Sequence, residues 1–178
     1  MDYQKVFNQL KPKFFQMEVI RNMPEDRVFT ELIMDLKKQN CTDIVLKYPE
    51  HIRFDFYKGN LKTLKEAVAH VDNDWVPLFT SDQRFFCAFD GDKIAAFCCL
   101  EKIGIADGLL VGGPGCVGTL PEYRKQGIGL EMVRRATEIL RKEDFDISWI
   151  HWTHLADWYS KLGYQLVLKW NKKGFIAF

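Results

Sequence analysis

Val117-Gly118-Thr119-Leu120-Pro121-Glu122-Tyr123-Arg124-Lys125-Gln126-Gly127-Ile128-Gly129 runs directly into an amphipathic segment. The residue types read as a short strand, then a turn rich in backbone N–H groups, then the first turn of a helix. Such a junction attracts anions. The first amides of a helix have no intrahelical acceptor, the helix dipole puts partial positive charge there, and glycines let a large ligand approach the backbone. Ile128, Met132, Ala136, Ile139 and Leu140 then make one apolar face, while Glu131, Arg134, Arg135, Glu138 and Arg141 make the wet one. What carries the phosphate decides what the protein does. The preceding run Gly112-Gly113-Pro114-Gly115 is not a P-loop, because the required Gly-Lys-Ser/Thr is absent.

Upstream, residues 84–89 and 93–100 are two apolar strands around Asp90-Gly91, the clearest hairpin signal in the chain. Residues 104–115 hold five glycines and Pro114, which predicts mostly loop. Asn60 is placed to cap a helix carrying Leu61, Leu64, Ala67, Val68 and Val71, after a strand at 52–57. The loop that follows, 72–82, carries Trp75, Pro77 and Phe79 exposed or half-buried. Downstream, 147–153 reads as a strand. Leu155, Trp158, Tyr159 and Leu162 fall at helical spacing, and Gly163 ends that helix. Residues 164–170 and 175–178 form a last hairpin. At the N-terminus, 14–20 alternates like a strand, and Pro24 opens a helix to about residue 39 with the stripe Val28, Leu32, Ile33 and Leu36. A further strand at 43–48 ends before Pro49. Residues 1–50 are thus expected to be a strand-helix-strand extension, and 51–178 the main domain.

The chain has 178 residues, enough for one domain with a sizeable core. Its net charge of +1 gives no bulk case for nucleic acid or an anionic membrane, so any anion site is local. The five cysteines are odd in number, include no CxxC and sit in apolar runs, which reads as reduced core thiols of a cytoplasmic protein. There is no apolar signal region at the N-terminus and no run near 18 apolar residues.

From residue 51 on, the element order and two motifs resemble the GNAT superfamily of acyl-CoA N-acyltransferases. The first motif is Thr119 to Gly129, similar to the family's apolar-x-Pro-x-x-Arg-x-x-Gly-x-Gly pattern with Thr119 at the usual Val. The second is Trp158-Tyr159-Ser160-Lys161-Leu162-Gly163-Tyr164, about 35 residues on, with a helix and a strand between them. The resemblance implies an α/β (α+β) fold with a mixed central sheet flanked by helices. It also implies acetyl-CoA or another acyl-CoA as co-substrate, with no metal. The pantetheine would lie along Val117, Gly118 and Thr119, and the pyrophosphate on the amides of Arg124, Lys125, Gln126, Gly127, Ile128 and Gly129. Lys125, Arg134 and Arg135 are placed to meet the outer phosphates, or to form a solvated helix face.

The implied reaction is direct attack of a substrate amine on the thioester. It needs a neutral amine, a donor to the carbonyl oxygen and a proton for the leaving thiolate. In the family a tyrosine at the position of Tyr159 often gives that proton; its periodicity alone would make it a core aromatic. The base is open among His151, His154, Asp157, Glu101 and a water chain, with His154 the first choice because it precedes the Tyr159 helix. Some relatives carry a Glu near position 113, where this chain has Gly113. The family's frequent Asn seven residues before the tyrosine is Trp152, beside Thr153. Cys116 has no partnered histidine at a recognisable spacing, which argues against an acyl-cysteine. The acceptor is a small-molecule or peptide amine, walled by Trp75, Phe79, the glycine-rich segment and Trp149 or Trp152. The extension is free to shape the site, mediate a homodimer or cover a sheet edge. Two rival readings remain: a non-catalytic acyl-CoA-binding sensor or scaffold, and a module that uses the same turn for another nucleotide.

Overall fold

The computed structural model describes residues 1–177; the expected last-hairpin residue Phe178 lies outside the described residues. Eight strands form one mixed sheet: β1 Phe29–Asp35, β2 Ile52–Phe56, β3 Phe85–Asp90, β4 Lys93–Ala106, β5 Leu109–Thr119, β6 Ile147–Thr153, β7 Gln165–Asn171 and β8 Gly174–Ile176. Their order across the sheet is β2-β3-β4-β5-β6-β1-β7-β8. Every neighbouring pair is antiparallel except β5 and β6. Helices α4 Ile128–Lys142 and α5 Ala156–Ser160 cover one face, with Ile128, Met132, Ala136, Leu140 and Tyr159 in its core. The other face is covered in two parts. Helix α1 Tyr3–Leu10, a 3-10 turn at Phe14–Gln16 and α2 Glu18–Arg21 lie over the β6-β1-β7 end. Helix α3 Leu61–Ala69 and a 3-10 stretch at Asn73–Leu78 lie over the β3-β4 end.

Local signals account for several elements. Asn60 caps α3 by accepting from the Lys62 amide, and Asp90-Gly91 turns β3 into β4. Asp2 caps α1 in the same way through the Lys5 amide. No helix among the described residues is long and apolar enough to cross a membrane.

The N-terminal expectations change. Residues 14–20 are helical turns rather than a strand, 24–39 contain β1 rather than a helix, and 43–48 have no regular structure. Strand β1 is buried on both faces, with Leu32 and Met34 in one core and Phe29 and Ile33 in the other. A doubly buried strand loses its period of two and mimics a helix stripe. The expected boundary at residue 50 therefore falls inside one sheet: β1 is its only link between β6 and β7.

Residues 104–115, expected as loop, belong to a second hairpin. The Asp107-Gly108 pair turns it with φ of 48° and 79°, the left-handed pair that a tight hairpin requires. The glycines of β5 are there because neighbours leave no room. A Cβ on Gly113 would run into the Trp149 carbonyl of β6, and one on Gly112 would come 2.6 Å from the Phe145 ring. Pro114 follows the last β5–β6 rung, where a missing N–H costs no bond to β6.

Candidate active site

Strands β5 and β6 pair only at Val111↔Ile147 and Gly112↔Ser148 and then part. Beyond that point β5 runs on to Thr119, so its backbone along 114–119 faces a V-shaped gap rather than a strand. Both arms of the V are kinked. Cys116 has φ 45° where the β4–β5 register slips, and Trp152 has φ 55° where β6 slips against β1. A slip of this kind re-aims side chains and ends strand pairing.

The gap leads to the turn at 119–129. A 3-10 turn at Pro121–Tyr123 follows β5, and Arg124 folds back so that its Nε donates to the Thr119 carbonyl at 3.0 Å. Gln126 Nε2 donates to the Glu122 carbonyl at 3.0 Å, and the Tyr123 hydroxyl donates to Asp90 at 3.0 Å. Lys125 and Gly127 are left-handed, with φ of 62° and 80°. This geometry turns successive amides toward one side, as in anion-binding nests. Helix α4 then starts with no side-chain cap, leaving its first amides free. A Cβ on Gly127 would strike the Lys47 carbonyl, and one on Gly129 would strike Thr119 Oγ1. Residues 41–48 therefore flank the turn, a neighbour that no local sequence signal announced.

Arg134 and Arg135 are committed elsewhere. Both bind the buried Glu131 carboxylate at 2.6–2.7 Å, and they hold Cys41 and Tyr48. They pin 41–48 onto α4, so the solvated-face and phosphate expectations both give way to a structural role. Lys125 stays exposed and in no ion pair among the described residues.

Tyr159 projects from α5 into the core on the α4 face of the sheet. Burial, then the neighbouring Tyr164, Cys98 and Cys116, push its hydroxyl well above the ordinary phenol range. It is in no hydrogen bond among the described residues, whereas Tyr164 is bonded to Thr137 at 2.7 Å and Ser148 at 2.6 Å. No sealed side-chain polar atom lacks a partner among those residues, so the Tyr159 hydroxyl is not sealed in. The two tyrosines of the second motif thus divide: Tyr164 ties α4 to β6, and Tyr159 offers a free, protonated hydroxyl.

On the opposite face, Gly113 and Gly115 let the Trp149 carbonyl and the Glu101 carboxylate close onto β5. Glu101 on β4 is paired with Gly113, and a Cβ on Gly115 would come 2.6 Å from its Oε1. Glu101 thus brings a carboxylate from the adjacent strand to the Gly113–Gly115 segment. Cys99 and Cys116 lie beside it. The hydrogen bond from Cys99 holds Cys116 below the usual thiol range and raises Cys99, with Glu101 opposing ionisation of both. All five cysteines are free, and burial pushes Cys41 and Cys87 up to about 12.

Of the other expected residues, Phe79 is fully buried in the α3 core, and Trp149 is buried against Glu31, with one edge lining a small cavity under α1. Trp152 packs edge-on to Phe14 and Trp170, a core tryptophan in a bulge. Leu155 is 47% exposed just ahead of α5 rather than on its apolar face. His154 is exposed and in no hydrogen bond among the described residues. Asp157 is exposed in the first turn of α5.

Residues 81–166 match the family model described as an acetyltransferase (GNAT) domain. No curated protein matches the chain in sequence. Among solved structures, one neighbour is a GCN5-related glucosamine N-acetyltransferase region of a fungal multi-domain GH3 β-N-acetylglucosaminidase. It aligns at TM-score 0.65 and 22% identity, over 82% of this chain and 20% of that one. A GCN5-related N-acetyltransferase from Kribbella flavida aligns at 0.54 and 20%, over 87% and 60%. One from Sphaerobacter thermophilus aligns at 0.55 and 15%, over 80% and 49%. The chain thus spans between a fifth and three fifths of the length of these proteins, which share its fold.

Proposed function

Because this chain belongs to the GNAT superfamily, we propose that it is an N-acetyltransferase carrying the acetyl group of acetyl-CoA to a primary amine of a small molecule or peptide. One observation carries the reading. The parted β5–β6 pair ends on an uncapped helix N-terminus, and an unbonded tyrosine hydroxyl opens beside it.

In this reading Val117, Gly118 and Thr119 hold the pantetheine through the β5 backbone. The amides of residues 124–129 hold the pyrophosphate, with Arg124 and Gln126 bracing the turn and Lys125 beside the outer phosphates. A β5 N–H near 117 donates to the thioester carbonyl oxygen as charge grows on it, worth a few kcal/mol at the transition state. The amine approaches from the β4–β5 face opposite Tyr159, where the Glu101 carboxylate attracts its ammonium form. Tyr159 protonates the leaving thiolate, and its raised pKa keeps the phenol protonated at neutral pH.

The test is free-thiol release from acetyl-CoA over a panel of amines that includes glucosamine, phenethylamine, spermidine and lysine peptides. Turnover of at least one amine is expected, with Tyr159→Phe lowering kcat about 10²-fold or more at unchanged acetyl-CoA affinity. Full activity in Tyr159→Phe removes the proton-donor role. Acetyl-CoA that stabilises the fold without product from any amine favours a non-catalytic acyl-CoA-binding module.

A further inference from the structure

The strand that lies outside the matched domain buries a carboxylate against β6 and β7. Glu31 on β1 has no solvent exposure, yet its carboxylate is fully partnered. It accepts from Trp149 Nε1 at 2.7 Å, from Trp170 Nε1 at 2.7 Å and from the Trp152 amide at 3.1 Å. His151 Nδ1 lies 2.8 Å from the same group. Indole and amide nitrogens only donate, so the first three contacts fix the carboxylate as acceptor. The imidazole nitrogen facing it then carries a proton, and in the neutral ring the other nitrogen holds the lone pair.

His151 is placed for use. It lies three residues past the last β5–β6 rung, as Gly115 does on the other arm of the V. Its ring is held between Phe7 and Phe14, at 5.7 and 5.3 Å between centroids. Its side chain remains 22% exposed, and with Phe7, Leu10, Lys11, Ile103 and Trp149 it lines a small cavity under α1. The charged groups around the imidazole are thus Glu31 from β1 and Lys11 from the end of α1; the other residues lining the cavity are aromatic or aliphatic.

We propose that Glu31 acts as a positioning residue that holds His151 as its Nδ1–H form, so that Nε2 of His151 is the base that deprotonates the acceptor ammonium. The proposal rests on the acetyltransferase reading, which supplies the ammonium and the thioester. The acceptor R–NH3+ gives one proton to Nε2, and the imidazolium later releases it to solvent. The amine lone pair forms the C–N bond, the C–S bond breaks, and its electron pair leaves on sulfur. Tyr159 protonates that thiolate and recovers a proton from the nitrogen of the new amide. One proton is released per turnover. His151 touches the substrate; Glu31 acts through it.

Two measurements test this. Nitrogen-15 NMR of the ligand-free protein, with the His151 ring assigned by its absence in His151→Ala, should show neutral His151 protonated on Nδ1. Protonation on Nε2 overturns the proposal. In the thiol-release assay, with acetyl-CoA and whichever panel amine the wild type turns over, His151→Ala should lower kcat about 10²-fold or more at unchanged acetyl-CoA KM. Added imidazole should restore at least about tenfold of that loss, which a merely structural histidine would not allow. Retained kcat in His151→Ala, or loss without imidazole rescue, overturns the base role while leaving the acetyltransferase reading intact. Failure of the wild type to bind acetyl-CoA rejects that reading itself. Glu31→Gln turns an amide N–H toward indole N–H groups and can unfold the sheet, so the wild-type tautomer carries the Glu31 part of the test.

Discussion

Replacing Glu131 with glutamine should loosen the segment that flanks the phosphate turn. Glu131 is 2% exposed and takes three guanidinium bonds, two from Arg134 at 2.7 Å and one from Arg135 at 2.6 Å. The same arginines hold residues 41–48: Arg134 donates to the Cys41 carbonyl at 3.4 Å, and Arg135 donates to the Tyr48 hydroxyl at 3.1 Å while lying 4.6 Å over the Phe54 ring. A charge-assisted bond is worth about 1.5–3 kcal/mol. The Arg135 side chain is 39% exposed, so its share is screened toward zero. Glutamine keeps one acceptor oxygen, which leaves a net loss of about 3 kcal/mol, at the low end for breaking a buried pair. For a chain of this size that lowers Tm by about 6–12 °C. The pH dependence has a definite sign. Burial alone would raise the Glu131 pKa, but the bonds from Arg134 and Arg135 outweigh it and hold it below the ordinary value. The pair's contribution is therefore full above an unfolded pKa of about 4.3 and disappears as pH falls through the lower folded value. The wild type should lose its advantage over Glu131→Gln below about pH 4. Since the Lys47 carbonyl packs on Gly127, acetyl-CoA KM should also rise severalfold with kcat unchanged. Thermal and urea melts at several pH values check this. A Tm shift under about 2 °C, or an advantage that does not shrink as pH falls below about 4, would refute the reasoning.

Three further perturbations probe the site. Gly127→Ala forces a side chain onto a residue at φ 80° and against the Lys47 carbonyl, so acetyl-CoA affinity by calorimetry should fall at least about tenfold; unchanged affinity would remove the turn from the donor site. Glu101→Gln should raise the amine KM about tenfold with acetyl-CoA KM unchanged, as expected for losing one attractive charge beside β5. An unaltered amine KM would place the acceptor elsewhere. His154→Ala should leave kcat within about twofold, because the ring is exposed and unbonded among the described residues; a loss beyond tenfold would make His154 the base instead.

The parts of this molecule that were legible in the sequence are those with local causes. Asn60, Asp90-Gly91 and the glycine turn before α4 each act on residues within a few positions, and the structure places caps and turns there. Strand β1 was illegible because both of its faces are buried, and the run Phe29–Asp35 shows no alternation to read. The second hairpin was obscured because glycine in β5 answers to steric contact with Trp149, Phe145 and Glu101, which are distant in sequence or on another strand. Glu31 gave only one clue, a carboxylate inside an apolar run. Its partners lie 118 to 139 residues away, so no spacing rule could connect them.

That separation has a consequence for biogenesis. As the chain leaves the ribosome, β1 emerges long before β6 and β7, whose Thr153 and Trp170 meet Thr30 and Glu31 across 123 and 139 residues. Until those strands exist, an apolar segment with two unpaired edges is exposed to other chains, the condition under which strands aggregate. A charge pointing inward from the middle of a strand opposes such pairing. Glu31 is that charge in the nascent chain, and the indoles and imidazole that satisfy it arrive only with the last quarter of the sequence. The side chain that orients His151 in the finished protein therefore also guards the strand while it waits to be enclosed.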